Sequence, residues 1–525
     1  MGHEGLERKG KIMDTIMDKL MDNLKSFIPN WLAPTATYLY LLSMLLIFPL
    51  FNTEKMFHLY LDKRNFFLVS SIVYLCCILP QILIALYDWG NDMTMPKKPD
   101  IIFALVLLAA LTISTLFSRN VTSTFFEMSS RTISGLCFLV ILAVFFAVRQ
   151  YGRLDKLLLW TWLAGSSAIY ICGIFCACGI NFFNIQDGLD AGQVRMYLTP
   201  MSNINYTACY VCIMLPPIMA LYMLCKETFT QQICGAHLYL GFMFTLFIKT
   251  DSSAIAIIFG ILLLGYFALE SEQWADRYTQ ITGIYLGAKF TICILRLLFG
   301  DKIHPFHGTG ALVLDYRVLL CEILCYLAFF LAWKRNQNII WKKLAAARKT
   351  LAIIALAAAG AGIACILFAN INAANLSKGS FWHNLVLTDA TFNERGYVWR
   401  RTASAVKEEP LIRKLLGNGL NSYENVMRIM HKLPADSEYA DPHNEILQMT
   451  TDMGLLGLIG YFGILLSTLI KGLRNWKNNA FYIISALTLP IYLVQALVNE
   501  YSIYTLPFLF IFLALINGKS IDMIK

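Results

Sequence analysis

The chain has 525 residues, of which 57% are hydrophobic and 15% are charged, and its mean hydropathy is +0.58. A soluble chain of this length would divide into about three or four domains with polar surfaces, and the composition excludes that arrangement. Neither a long basic tail nor a nucleic-acid motif accompanies the net charge of +9, so we expect no nucleic-acid partner.

Apolar runs recur along the chain, and each is long enough to cross, or nearly cross, a hydrocarbon core of about 30 Å. Helices pair all their backbone amides internally, which lipid requires. We therefore predict an all-α, polytopic transmembrane bundle of about 12–14 spans in a lipid bilayer. In chain order the predicted spans are 35–51, 66–87, 101–117, 133–148, 157–180, 204–225, 238–248, 254–269, 281–299, 318–333, 351–369, 455–470, 480–498 and 503–516.

The segment 1–34 lacks the short basic stretch and apolar core of a cleaved signal peptide, and we expect it to be cytoplasmic. Within it, residues 10–27 either form an amphipathic helix on the inner membrane surface or belong to a disordered tail.

Basic residues indicate the orientation, because they concentrate in cytoplasmic segments. With a cytoplasmic N-terminus, most lysines and arginines fall inside, including those of 334–349 and 471–477. Both termini are then cytoplasmic, and the long polar segment 370–445 is external. The predicted division is a cytoplasmic segment 1–34, a transmembrane bundle 35–369, a large external loop 370–445 and C-terminal transmembrane helices 446–525.

Short helices and a turn are predicted inside this loop. Residues 394–406 have amphipathic helical spacing, and Pro410 ends that helix. Gly417 and Gly419 mark a glycine-rich turn.

The loop ends in a run, Asp441 to Glu445, that has the pattern of a helix start. We expect Asp441 as the N-cap, Pro442 at the first helical position and His443 in the first turn. The positive end of the helix dipole would keep His443 neutral near pH 7, and the free amides would attract phosphate. Alternatively, His443 is an ordinary interfacial residue and the loop arginines bind lipid headgroups.

Several motifs resemble the O-antigen ligase and polymerase superfamily. The Pro-His-Asn of 442–444, followed by Gly-Leu-Leu-Gly at 454–457, is similar to the family's most specific signature. Arg395 with Trp399 resembles its arginine–tryptophan helix, and the turn 416–419 resembles its Gly-x-Gly turn.

Upstream elements follow in the family's order. Arg131 before Gly-Leu at 135–136 resembles an Arg-x-x-Gly-Leu element, and Arg195 before 200–205 resembles an arginine that precedes an Asn-Pro-Asn helix start. The Asn-Pro-Asn is altered here, and Lys249 stands where the family often has Ser-Arg-Gly. Lys249 either supplies the missing positive charge or the contact is absent.

The resemblance implies a multi-pass glycosyltransferase of the GT-C class in a bacterial inner membrane. Such an enzyme moves a glycan from an undecaprenyl-diphosphate donor to an acceptor hydroxyl on the outer face. The acceptor is the lipid A core of lipopolysaccharide in a ligase and another repeat unit in a polysaccharide polymerase.

In this scheme we expect a metal-independent, inverting reaction without a cofactor, because arginines meet the charge of the leaving diphosphate. No Asp-x-Asp metal-binding pair is present in the sequence. His443 is the expected general base. The expected diphosphate ligands are Arg195, Arg395 and Arg131, and the expected supporting residues are Asn444, Trp399, Gly417 and Gly419.

The alternative function is a transporter or flippase of lipid-linked oligosaccharide. It explains the spans equally well, but transport sites place charge inside the spans near the midplane. Here charges within the predicted spans are few, chiefly Lys289, Arg296 and Glu322.

Overall fold

The computed structural model describes residues 17–53, 56, 58–92, 98–303, 306, 308–376, 380, 382, 385–389, 394–432 and 441–518. Over these ranges the regular structure is helical apart from one isolated bridge, which confirms the all-α prediction. A helical stretch at 17–27 precedes the numbered helices. These are α1 Leu32–Leu50, α2 Leu59–Cys77, α3 Leu79–Asp92, α4 Pro99–Leu116, α5 Val121–Phe126, α6 Gly135–Tyr151, α7 Lys156–Ala177, α8 Ala191–Met196, α9 Ile204–Leu224, α10 Thr228–Phe247, α11 Asp251–Ala268, α12 Glu272–Phe299, α13 Gly308–Val313, α14 Tyr316–Ile371, α15 Arg395–Glu408, α16 Leu411–Leu416, α17 Tyr423–Ile429, α18 Glu445–Asn475, α19 Ile483–Ala496 and α20 Leu506–Asn517.

Eight helices within the described ranges are long and apolar enough to span a membrane, or nine when α2 and α3, bent by 61°, count as one span. This number is lower than the predicted 12–14 because three predicted spans coincide with shorter apolar helices, namely α6, α19 with the turn before it, and α20. The short predicted run at 238–248 belongs to the longer helix α10. The predicted spans 318–333 and 351–369 both lie in α14.

Helix α14 contains 56 residues, and a straight helix of that length would measure about 84 Å. That is far longer than a bilayer core of about 30 Å. A break at Asn336, where the backbone leaves the helical region, divides α14 into two arms. The apolar part of the second arm has no buried residue in its most hydrophobic window, as expected for a helix face that meets lipid.

The buried core lies where α9, α19 and α20 pack, and α20 is buried along its whole length. Helix α18 packs closely along α4 because glycines of α18 face α4. A Cβ atom at Gly460 would lie 2.7 Å from the Cα atom of Leu107, so only glycine permits this approach.

The helix directions separate two ends of the bundle. The predicted inner basic segments lie at one end, where Arg149 pairs with Asp100 and Lys334 lies 2.9 Å from Asp276. The starts of α6, α9 and α18, together with the loop helices α15 to α17, lie at the other end, which we call the site end. This division agrees with the predicted topology, whose orientation in the cell stays a prediction.

Candidate active site

His443 lies just before α18, outside the helix. The N-cap of α18 is Asn444, whose side-chain oxygen accepts a hydrogen bond from the Leu447 amide at 3.0 Å. The prediction of Asp441 as the cap was therefore wrong. Asp441 instead accepts the backbone N–H of His443 at 2.8 Å, and His443 has a positive φ of 47°.

Two carboxylates face the His443 ring. The His443 Nδ1 lies 2.9 Å from Glu500 Oε2 and 3.0 Å from Asp441 Oδ1. Burial lowers the pKa of His443, but the negative charges of Glu500 and Asp441, and their hydrogen bonds, outweigh it and raise this pKa to about 10. The predicted neutral ring was therefore wrong for the ligand-free protein, because through-space charges outweigh the helix dipole.

Glu500 is a candidate functional residue that the sequence analysis missed. Burial raises the pKa of Glu500, yet the His443 charge and hydrogen bonds from His443 and Tyr206 lower it to about 2. The pKa of Asp441 is raised, by burial first and then by the charge of Glu500. A signal was present in the sequence, because Glu500 is the sole charged residue between positions 480 and 517.

Arg131 and Arg395 border the same carboxylates. The guanidinium of Arg131 lies 3.9 Å from Asp441 Oδ2, and Arg395 donates a hydrogen bond to Asn499 Oδ1 at 3.3 Å. Burial lowers the pKa of Arg395, and the charges of Glu500 and Asp441 oppose that effect. Three cationic groups thus surround two carboxylates, an arrangement that attracts an anion.

Trp399 and Asn444 hold the histidine segment in place. The indole Nε1 of Trp399 donates to the Pro442 carbonyl at 3.0 Å, which connects α15 to the residue before His443. The Asn444 side chain donates to the Leu497 carbonyl at 2.8 Å, which connects it to the segment that carries Glu500. Both side chains thus hold backbone on either side of His443, and their supporting role in function stays a prediction.

Gly417 and Gly419 form the expected turn, with φ values of 78° and 95° that favour glycine. The turn docks on a break in α18 at Gly454, whose backbone leaves the helical region. There the Gly419 amide donates to the Asp452 carbonyl at 2.8 Å, and the Asn418 amide donates to Thr451 at 3.0 Å. The break exposes carbonyls, and the loop satisfies them.

Arg195 belongs to a second cluster of cations. Burial, Arg195 and Arg296 together lower the pKa of Lys249 to about 8. Lys249 and Arg296 both face the Phe306 ring, at 4.8 and 5.4 Å from its centroid. Tyr197, two residues after Arg195, acts electrostatically on Arg131 of the first group.

The imidazole of His443 and the carboxylates of Asp441 and Glu500 are close enough together to be considered as a metal site. The ligand atoms of Asp441, His443 and Glu500 lie within 4.8 Å of one another, a donor set that divalent metals accept. However, both carboxylates already contact Nδ1, and a protonated nitrogen cannot bind a metal. The predicted independence of metals stays a prediction.

These features define a polytopic helical membrane protein with a cationic, histidine-centred site between its large loop and the α19–α20 connection. The O-antigen ligase family model matches residues 316–462, which include α14, the large loop and the first part of α18. The match supports the O-antigen ligase and polymerase superfamily and confirms the resemblance seen in the motifs. Comparison with curated proteins finds no match.

Proposed function

We propose that this protein is an inverting glycosyltransferase, which moves a glycan from a lipid-diphosphate donor, typically undecaprenyl diphosphate, to an acceptor hydroxyl at the site end. The observation that carries the proposal is the contact of His443 with Glu500 and Asp441 beside two arginines. The family match over the same loop supports it. The acceptor is lipid A core or another repeat unit.

Arginine and lysine side chains stabilise the lipid diphosphate as it leaves. As the glycosidic bond breaks, negative charge grows on the lipid diphosphate, and fixed cations stabilise that charge. Arg131 and Arg395 bind the part of the diphosphate nearest His443. Arg195 and Lys249, of the second cluster, bind the rest of it. Binding of a phosphate favours the charged form of Lys249, so this lysine supplies the charge of the family's missing arginine.

His443 receives the proton of the acceptor hydroxyl. Because Glu500 accepts a hydrogen bond from Nδ1–H of His443, Nε2 is the atom available to act as base. The acceptor oxygen then attacks the anomeric carbon, its proton passes to Nε2, and the lipid diphosphate leaves with the bonding electrons. Direct attack inverts the anomeric centre. Because its pKa is raised, the His443 imidazolium must first release its Nε2 proton to solvent before Nε2 can act as base.

We expect His443→Ala to lower glycan transfer about 10²- to 10⁴-fold, because the acceptor loses its base. The assay uses purified protein in liposomes with lipid-linked glycan, and mass analysis counts new glycosidic bonds. Arg153→Gln, an exposed arginine at the opposite end, is the matched control and should retain full activity. An unchanged rate in His443→Ala at matched expression would remove this histidine from the mechanism.

The same liposomes separate the alternative function. New glycosidic bonds indicate a transferase, whereas movement of the donor between leaflets without new bonds indicates a flippase. Polar contacts of the described loop converge on one site at the end of the bundle, which favours a transferase.

A further inference from the structure

Two adjacent cations stand near the site end of α2, and only one of them has a structural explanation. The amine of Lys63 is fully buried and donates to the carbonyls of Phe48 and Pro49, at 2.6 and 2.8 Å. These carbonyls lie at the end of α1, so Lys63 caps that helix.

Arg64 differs from its neighbour. Its Nε atom is buried and has no hydrogen-bond partner within the described part of the chain. The nearest acid in sequence, Asp62, is occupied because it accepts the backbone amide of Thr53 at 2.8 Å and its hydroxyl at 2.5 Å. A guanidinium remains charged at all physiological pH values, and a buried unpaired donor is costly. The side chain therefore lacks an acceptor that a ligand can supply.

Two arginines in the described ranges are buried as whole residues, unlike the partly exposed Arg64, and both have acceptors. Arg149 pairs with Asp100, and Arg277 donates to the carbonyls that follow α9, including that of Met223 at 3.2 Å. Both lie at the end opposite the site. By contrast, the Nε donor of Arg64, at the site end, has no acceptor.

Arg64 lies at the same end of the bundle as the proposed active site. Its charge acts on the thiol of Cys137, in the first turn of α6, six residues after Arg131. One turn earlier, Tyr60 influences Tyr504, which stacks on Tyr206 with ring centroids 5.1 Å apart. Tyr206 in turn hydrogen-bonds to Glu500. An electrostatic effect, a ring stack and a hydrogen bond thus connect this part of α2 to Glu500.

The depth of Arg64 suits a lipid phosphate. It lies five residues after Leu59, the first residue of α2, or about 8 Å along the helix axis. The interfacial layer of a bilayer is about 5–8 Å thick on each side. With Leu59 at the outer surface of that layer, as the proposal requires, Arg64 would lie near the boundary of headgroups and hydrocarbon. Arginine holds a phosphate with paired hydrogen bonds, which would satisfy the buried Nε.

We propose that Arg64 binds the phosphate of a membrane lipid, and that this lipid is the donor of the glycosyl transfer. The choice of donor rests on the proposed function. Arg131, Arg395 and Glu500 lie at the same end of the bundle, and the proposal requires one lipid diphosphate to reach both Arg64 and these groups.

The test uses the full-length protein in phosphatidylcholine nanodiscs, with farnesyl diphosphate as the probe. Arg64→Met should bind the probe about tenfold more weakly than wild type, because a charge-assisted bond is lost. The melting temperature of the ligand-free variant should not fall, since the substitution removes a guanidinium whose buried Nε has no acceptor. Arg153→Gln should match wild type in both measurements.

A second arm, in nanodiscs that contain phosphatidylglycerol, distinguishes the source of the phosphate. Loss of retained phosphatidylglycerol in Arg64→Met, with unchanged affinity for the probe, would overturn the donor assignment in favour of a structural lipid. Unchanged binding of both lipids, or a lower melting temperature with unchanged binding, would overturn the site itself.

Arg64→Gln repeats both arms with a polar side chain should Arg64→Met fail to fold. The binding assay requires no transfer of glycan. If wild type binds the probe but forms no glycosidic bond, the proposed function fails alone. If wild type transfers glycan and Arg64→Met keeps its affinity, only this inference fails.

Discussion

At the scale of single residues, charge distinguishes His443 from an ordinary interfacial histidine. Glu500 and Asp441 both contact its Nδ1, and together they outweigh the effect of burial. An imidazole with a raised pKa is a stronger base once its proton has left, but a smaller fraction of it is deprotonated near pH 7. The rate of a reaction that needs the neutral ring therefore increases as pH rises toward about 10.

Glu500→Gln should shift this pH dependence. Loss of the carboxylate charge removes the larger of the two electrostatic effects that raise the His443 pKa, so the rising limb of the rate profile moves to lower pH. The measurement is initial transfer rate against pH from 6 to about 10, at saturating donor. In wild type the rate should increase about tenfold per pH unit below the pKa of His443.

Glu424→Gln, a half-exposed loop acid paired with Arg428, is the control and should leave the profile unchanged. A uniform loss of rate at all pH values in Glu500→Gln would show a purely structural role for Glu500. A wild-type rate that falls with rising pH would mean that the imidazolium, and not the neutral ring, is the active form.

At the scale of elements, the large loop is fixed by its contact with a broken helix. The turn at 417–419 donates amides to carbonyls that the break in α18 leaves unpaired. The loop helices also share a small core of their own, in which Val398 and Ala405 pack with Tyr423 and Met427. The turn and α15 are therefore held against α18 and the His443 segment, α15 through the bond from Trp399 to Pro442.

Gly417→Ala should detach this turn from α18. An added Cβ would lie 2.3 Å from the Asp452 carbonyl oxygen, and φ is positive at 78°. We expect a loss of stability of about 1–3 kcal/mol and faster hydrogen exchange in α16 and α17. Thermal unfolding in detergent and hydrogen–deuterium exchange measure these effects.

Gly360→Ala is the matched control, because nothing lies within 4 Å of a Cβ at that position on α14. It should not destabilise the protein. Equal exchange rates in wild type and Gly417→Ala would contradict the docking of the turn.

At the scale of the whole molecule, charged groups are sorted between two ends. The end opposite the site holds the basic segments, with pairs such as Lys25–Asp88 at 2.8 Å and Lys156–Glu227 at 2.7 Å. The site end holds Asp441, Glu500 and both clusters of cations. Excess lysine and arginine face the cytoplasm in membrane proteins, so we expect the site end to be external.

Reporter fusions test this orientation. Alkaline phosphatase fused after Lys414 in the loop should be active, whereas the same enzyme fused after Lys477 should be inactive. Fluorescent protein at the same positions should give the reverse result. An active phosphatase at Lys477 would place the site in the cytoplasm and exclude a periplasmic donor.

Local pattern was enough to predict much of this protein. Apolar runs predict helices, because backbone amides in lipid must be paired internally. The spacing at 394–406 with Pro410 predicts α15, observed as Arg395–Glu408. The glycine turn and the supporting contacts of Trp399 and Asn444 also lie where the motifs indicated. These features depend on neighbours a few residues away, so a single sequence contains them.

Only the tertiary structure decided the chemistry of the site. Glu500 lies 57 residues from His443, and Arg131 lies farther still from Asp441 along the chain. Folding brings these charges together, and the pKa of a buried group depends on every charge near it in space. The sequence by itself determined which segments form apolar helices and which side chains carry reactive groups. Proximity determined the protonation of those groups, their partners and the division of the cations into two clusters.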